Sequence, residues 1–148
     1  MARIHPPGFP IERGKIHEFA NAIGAEDPLH HDEHAARAAG LPGVVAPPTF
    51  SAAAAFFPEP GGAGGLGIQG LDMRFVLHGG QELEYERPLF AGDLLRAEPG
   101  DTKSYEKQGK RGGTMKFIET ETLYRDAQGA VVLRVRNTLV QTAGVVKE

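Results

Sequence analysis

The sequence predicts an α+β domain in which one curved antiparallel sheet wraps a central apolar helix. Two observations lead there. The stretch Thr49-Phe-Ser-Ala-Ala-Ala-Ala-Phe-Phe57 is helical in pattern and carries no charge on any face, so other structure must cover it. The C-terminal half then supplies three extended segments well beyond the mean strand length of about 5 to 6 residues, long enough to curl around such a helix. A chain of 148 residues, 41% hydrophobic and 24% charged, suits a single domain spanning 1–148, because ordinary domains run to about 100 to 200 residues.

The elements follow in order. Between Glu12 and Ile23 the apolar residues Ile16, Phe19, Ala20 and Ile23 recur at i, i+3, i+4 and i+7, which places them on one helix face, and Gly24 supplies a C-terminal stop. Asp32 can cap a short second helix over Glu33–Ala39, ended by Gly40 and Pro42, because its carboxylate accepts an otherwise unpaired first-turn amide. The apolar helix starts at Pro47-Pro48, where proline fits since first-turn amides need no helical partner, and stops before Pro58. Glu82, Glu84 and Glu86 alternate with Leu83 and Tyr85, the period-two pattern of a half-buried strand, which Pro88 and Ala91-Gly92-Asp93 close. Extended segments at Leu94–Lys107, Thr114–Arg125 and Ala130–Thr142 are separated by turn signals at Gly109–Gly113 and Asp126–Gly129, giving an antiparallel meander. Pro99 marks a bulge or bend. Wrapped around the apolar helix, such a sheet is the hot-dog arrangement. The glycine-rich run Pro60–Gly70 is expected to be a flexible loop.

Composition excludes several function classes. The formal charge is −3 and the 16 Lys and Arg residues are scattered, so there is no electrostatic footprint for nucleic acid or an anionic membrane. The chain has no cysteine, which removes disulfides and thiolate chemistry. The N-terminus lacks the apolar core of a signal peptide, and no apolar run approaches the roughly 18 residues of a membrane span; a cytoplasmic location is the expectation. Gly62-Ala63-Gly64-Gly65-Leu66-Gly67 matches the letters of a dinucleotide motif, but it follows Pro58-Glu59-Pro60 instead of a strand and no helix is signalled after it. His30, His31, Asp32, Glu33 and His34 are rich in metal-ligand types, yet Pro28 and Asp32 place the helix start beyond His30, so His30 and His34 share no helix face; solvated polar side chains are the preferred reading. Ser51 lies in no nucleophile elbow. Arg74, Lys107, Lys110 and Arg111 are candidates for the phosphates of coenzyme A, although Lys107–Arg111 fits a charged hairpin turn better. No cofactor and no metal are indicated.

The run Ile23-Gly-Ala-Glu-Asp-Pro-Leu-His30, then Ala35-Ala36, then Val45-Ala-Pro-Pro-Thr-Phe50, resembles the MaoC-like family of hot-dog hydratases and dehydratases, closest to the MaoC dehydratase N-terminal type. His78-Gly79-Gly80-Gln81-Glu82, followed by Pro88 and Ala91-Gly92-Asp93, is similar to the same type, so the resemblance spans nearly the whole chain. It implies reversible addition of water across a trans-2-enoyl thioester to give the (3R)-hydroxyacyl thioester, carried on coenzyme A or an acyl carrier. That chemistry needs a histidine to handle the water protons, a carboxylate to orient the water, and an amide donor for the thioester oxygen.

Laid on the family's active pattern, His30 falls on the catalytic histidine, but Ala25 stands where the aspartate is required and a methyl group can neither accept a hydrogen bond nor take a proton. Pro48 falls on the glycine whose amide meets the thioester oxygen, and proline has no N–H; the free first-turn amides of Thr49 or Phe50 are the substitutes. Asp27 and Glu26 are the neighbouring carboxylates, Asp27 about 7 Å further along an extended chain and Glu26 on its opposite side. Four readings follow. The first is an acyl-binding accessory subunit paired with a catalytically complete hot-dog chain. The others are a self-sufficient homodimeric hydratase using His30 with Glu26 or Asp27, a thioesterase, and a non-catalytic acyl-CoA or lipid-binding module. The thioesterase ranks lowest among the enzymes, since no acidic residue lies between Pro47 and Phe57.

Overall fold

The computed structural model describes residues 8–57, 71–109 and 113–142. Strand β1 (Phe9–Pro10) leads into helix α1 (Arg13–Ala22), a 3-10 turn (Pro28–His30), helix α2 (Glu33–Ala38) and a 3-10 helix (Phe50–Phe56). A further 3-10 turn (Met73–Phe75) opens β2 (Val76–Tyr85), and β3 (Leu94–Gln108), β4 (Thr114–Arg125) and β5 (Val131–Gln141) complete the chain's regular structure. The five strands form one curled antiparallel sheet in the order β1-β3-β4-β5-β2. The glycine-rich stretch 60–70, with its 62–67 match, and Lys110 and Arg111 lie outside the described residues. Among the described residues no helix is long and apolar enough to cross a membrane.

The expected meander is present as β3-β4-β5, and the register of β3 against β4 shifts between Pro99 and Thr102, where proline interrupts the ladder. β2 begins six residues before Glu82, at Val76, and pairs with the last strand, β5. Gly24 and Gly40, just past α1 and α2, take φ of +69° and +81°, the left-handed geometry that ends a helix at little cost to glycine alone.

The core lies on the concave side of the sheet. Phe9, Ile11, Ile16, Phe50, Leu95, Tyr124, Leu133 and Val135 are buried there together, and Phe9 packs its ring against Phe50, Phe57 and Tyr124 at centroid distances of 5.6–6.3 Å. Each such side chain removed from water contributes on the order of 1.5–3 kcal/mol.

Two expectations need correction. Ile23 is 51% exposed, because α1 stops at Ala22 and Ile23 is its C-cap, off the helical face. The apolar helix is covered on one side only: Phe50, Ser51 and Ala54 are buried, whereas Thr49, Ala52 and Ala55 are exposed and Phe56 is 83% exposed. The reason is the 3-10 winding of three residues per turn, which lines up positions three apart and turns one whole row outward.

Candidate active site

His30 is positioned by the backbone at Val45. The Val45 amide donates to the Leu29 carbonyl at 3.0 Å, and His30 Nδ1 lies 2.7 Å from the Val45 carbonyl. A carbonyl can only accept, so Nδ1 carries the hydrogen, and in the neutral ring Nε2 is left with the lone pair of a base. Val45 is itself held from its other side: it bridges to Phe90, while Ala46 donates to Leu89 and Ala91 to Val44, both at 2.9 Å. The 87–93 connection that supplies these partners is tied by Arg87, which donates to Asp93 at 2.7 and 3.1 Å. That bonding raises the Arg87 pKa.

The loop that carries position 25 is pinned separately. Ala25 donates its amide to Ala20 at 2.8 Å and accepts from His31 Nε2 at 2.7 Å. With its Nε2 proton committed, a neutral His31 offers Nδ1 as acceptor to His17 Nδ1, 2.8 Å away, and His17 Nε2 then accepts from the Asn21 amide at 3.1 Å. One polar chain therefore runs from α1 through two imidazoles to the Ala25 carbonyl.

The structure distributes the candidate residues unevenly. The Asp27 carboxylate accepts from the Leu29 amide at 2.9 Å, capping the 3-10 turn that presents His30. Glu26 is exposed on the same loop. Phe50 gives its amide to the Pro47 carbonyl at 2.9 Å and its ring to the core. Thr49 is exposed, and its amide has no acceptor among the described residues. Pro48 presents its carbonyl to the Tyr85 hydroxyl at 2.5 Å. His30 thus lies against Val45, four residues before Thr49, while no carboxylate among the described residues bonds to its ring.

Of the metal-ligand cluster, Asp32 caps α2 through His34 and Ala35, which holds its carboxyl below the usual range; Glu33 binds Arg37. Among the described residues no three His, Asp or Glu side chains gather in a metal-binding group. Beside Phe50 an apolar cavity of about 490 Å3 opens between α1 and the 50–56 helix, lined by Phe9, Phe19, Phe50, Ala53, Phe56 and Phe57. The sequence pattern did not signal the Val45 anchor, the His17–His31 link or the Tyr85 contact, since each joins residues 14 to 37 positions apart; only the inward alternation of Leu83 and Tyr85 pointed toward the last.

Residues 2–135 match the family described as FAS1-like, dehydratase domain region. The chain belongs to the MaoC-like hot-dog dehydratase family. Among relatives of this MaoC-like chain, a UPF0336 protein of Saccharopolyspora erythraea is 37% identical over 95% of this chain and 87% of its own length. Two solved structures from Mycobacterium tuberculosis are similar to it at 25% identity. The C-terminally truncated HadBC (3R-hydroxyacyl-ACP dehydratase) complex gives a TM-score of 0.72 over 92% of this chain and 91% of the other. The ChsH1-ChsH2 complex gives 0.64 over 93% and 83%.

Proposed function

We propose that this MaoC-like chain is an acyl-binding accessory subunit, paired with a second hot-dog chain to form a (3R)-hydroxyacyl-thioester dehydratase, or equally its reverse, a trans-2-enoyl-thioester hydratase. The observation that carries the reading is the missing carboxylate. Position 25 is alanine; of the two neighbouring carboxylates, Glu26 is exposed and Asp27 spends an oxygen on the Leu29 amide. His30 Nε2 is oriented to take a proton, but among the described residues no carboxylate bonds to its ring to hold a water for attack on C3. The HadBC and ChsH1-ChsH2 structures, each a complex of two named chains, support a hot-dog partner as the source of the missing group.

In this reading the aromatic cavity beside Phe50 takes the acyl tail, because burying apolar chain there gains roughly 0.8 kcal/mol per methylene. The Thr49 amide, at the start of the same helix, donates to the thioester oxygen. Coenzyme A or an acyl carrier bears the substrate, and the free edge of the sheet at β2 receives the partner strand.

Hydration of trans-2-octenoyl-CoA, followed by loss of absorbance from the conjugated thioester, tests the proposal. The purified chain alone is expected to show no turnover above the uncatalysed rate, and the chain co-purified with its native partner is expected to turn over. Brisk turnover by the chain alone that His30→Ala abolishes overturns the accessory role. A loss of that turnover in Glu26→Gln then assigns the base pair to His30 and the exposed Glu26.

A further inference from the structure

We infer that Tyr85 is a positioning residue: its hydroxyl, bound to the Pro48 carbonyl, aims and strengthens the Thr49 amide as the donor to a thioester carbonyl. The contact is between the last residue of β2 and the peptide that opens the 50–56 helix, with 2.5 Å between the phenol oxygen and the Pro48 oxygen. Pro48 C=O and Thr49 N–H belong to one peptide unit. No cis peptide bond occurs among the described residues, and a planar trans unit points its oxygen and its hydrogen in opposite directions. Fixing the oxygen therefore fixes the N–H. Donation to a carbonyl also draws electron density along the amide, so the N–H at the far end becomes a stronger donor.

Tyr85 is suited to this task. Burial raises its pKa, and the nearby Ser51 hydroxyl offsets part of that rise. The phenol thus keeps its proton for Pro48, beside a Ser51 that is buried in the same helix. Pro48 contributes in turn: having no N–H, it leaves Thr49 as the first amide of the helix start, and that amide has no acceptor among the described residues.

The inference rests on the proposed acyl-thioester binding, and the test separates the two. Calorimetry compares octanoyl-CoA with octyl-CoA thioether, which lacks the carbonyl oxygen, on the full chain. One neutral hydrogen bond is worth about 1–1.5 kcal/mol, so the unaltered chain is expected to favour the thioester by about tenfold. Tyr85→Phe is expected to lose that preference and leave thioether affinity unchanged. Thr49→Pro, which deletes the amide at a position where proline suits a helix start, is expected to remove the preference equally, with no further loss in the double variant. Retention of the preference in Tyr85→Phe, or parallel weakening of both ligands, overturns the role of Tyr85 and leaves acyl binding standing. Absence of any preference in the unaltered chain also overturns it. If the unaltered chain binds neither ligand, the acyl-binding proposal falls and this inference with it.

Discussion

Tyr124 sits at the centre of the concave face, 4% exposed, with its ring edge toward Phe9. Burial, and to a lesser degree the neighbouring Tyr85, pushes its hydroxyl up to about 12 from the ordinary 10.0. The sign of the consequence follows from proton counting. Between pH 10 and 12 the folded chain keeps this proton while the unfolded chain releases it, so stability is full below pH 10 and falls as pH rises through 12. Two units correspond to roughly 2–3 kcal/mol. Urea unfolding at pH 8 and pH 11.5 is expected to show that loss in the unaltered chain and a smaller one in Tyr124→Phe; an equal alkaline loss in both would place the sensitive group elsewhere. His30 and Ala25 belong to the same scale but differ in how visible they were. His30 and the substitutions at 25 and 48 stand in the sequence as a motif with gaps. The tautomer of His30 does not, because it is dictated by a carbonyl 15 residues away.

Gly79 carries the corresponding argument for an element. The register of β2 against β5 shifts between His78 and Gly80, and a Cβ on Gly79 would stand 2.8 Å from Val140 Cγ2 and 3.2 Å from the Thr138 carbonyl. Adjacent Gly80 has open space. Gly79→Ala is therefore expected to cost about 1–3 kcal/mol through overpacking and to speed amide exchange in Val76–Gly80, while Gly80→Ala should stay within about 0.5 kcal/mol of the unaltered chain. Equal effects would show that the bulge does not depend on the close approach to Val140. The elements themselves were largely legible. Alternation and turn residues bounded β3, β4 and β5 to within a residue or two, since local chemistry decides where strands break. The winding of the 50–56 helix was not legible. Four successive alanines favour an α-helix, yet this segment winds as a 3-10 helix, with Phe50 and Ala54 placed by the core and no local signal for that choice. Nor could the pairing of β2 with β5 be read, because strands separated by two others find each other through the curl of the whole sheet.

At the scale of the molecule, the sheet ends on β2 at one side and, at the other, on β1 and the part of β3 that β1 leaves unpaired. β1 is only two residues long, whereas β2 offers ten residues of edge without the proline or lysine that blunts exposed edges. The outer face near that edge is charged around Arg136, which binds Glu82, Glu84 and Glu121. Two rungs further along, past Glu119 and Thr138, it becomes apolar: Tyr105 faces Phe117, Phe117 faces Val140, and Val140 faces Leu77 across four strands. Tyr105 and Phe117 stack at 5.1 Å, and the rung ends at Leu77, 60% exposed on the open edge. A strand added to β2 would extend this rung and cover Leu77, which gives the edge both free backbone groups and an apolar side chain to offer a partner. Leu77→Lys tests whether that is the seam. Replacing so exposed a side chain should change the stability of the isolated chain by no more than about 0.5 kcal/mol. Burying a lysine in an assembled sheet removes apolar contact and strands a charge, so sedimentation is expected to show at least about a tenfold weaker association, a loss of about 1.4 kcal/mol. An unchanged dissociation constant with unchanged melting would mean that assembly uses another surface and that the long edge of β2 is left to water.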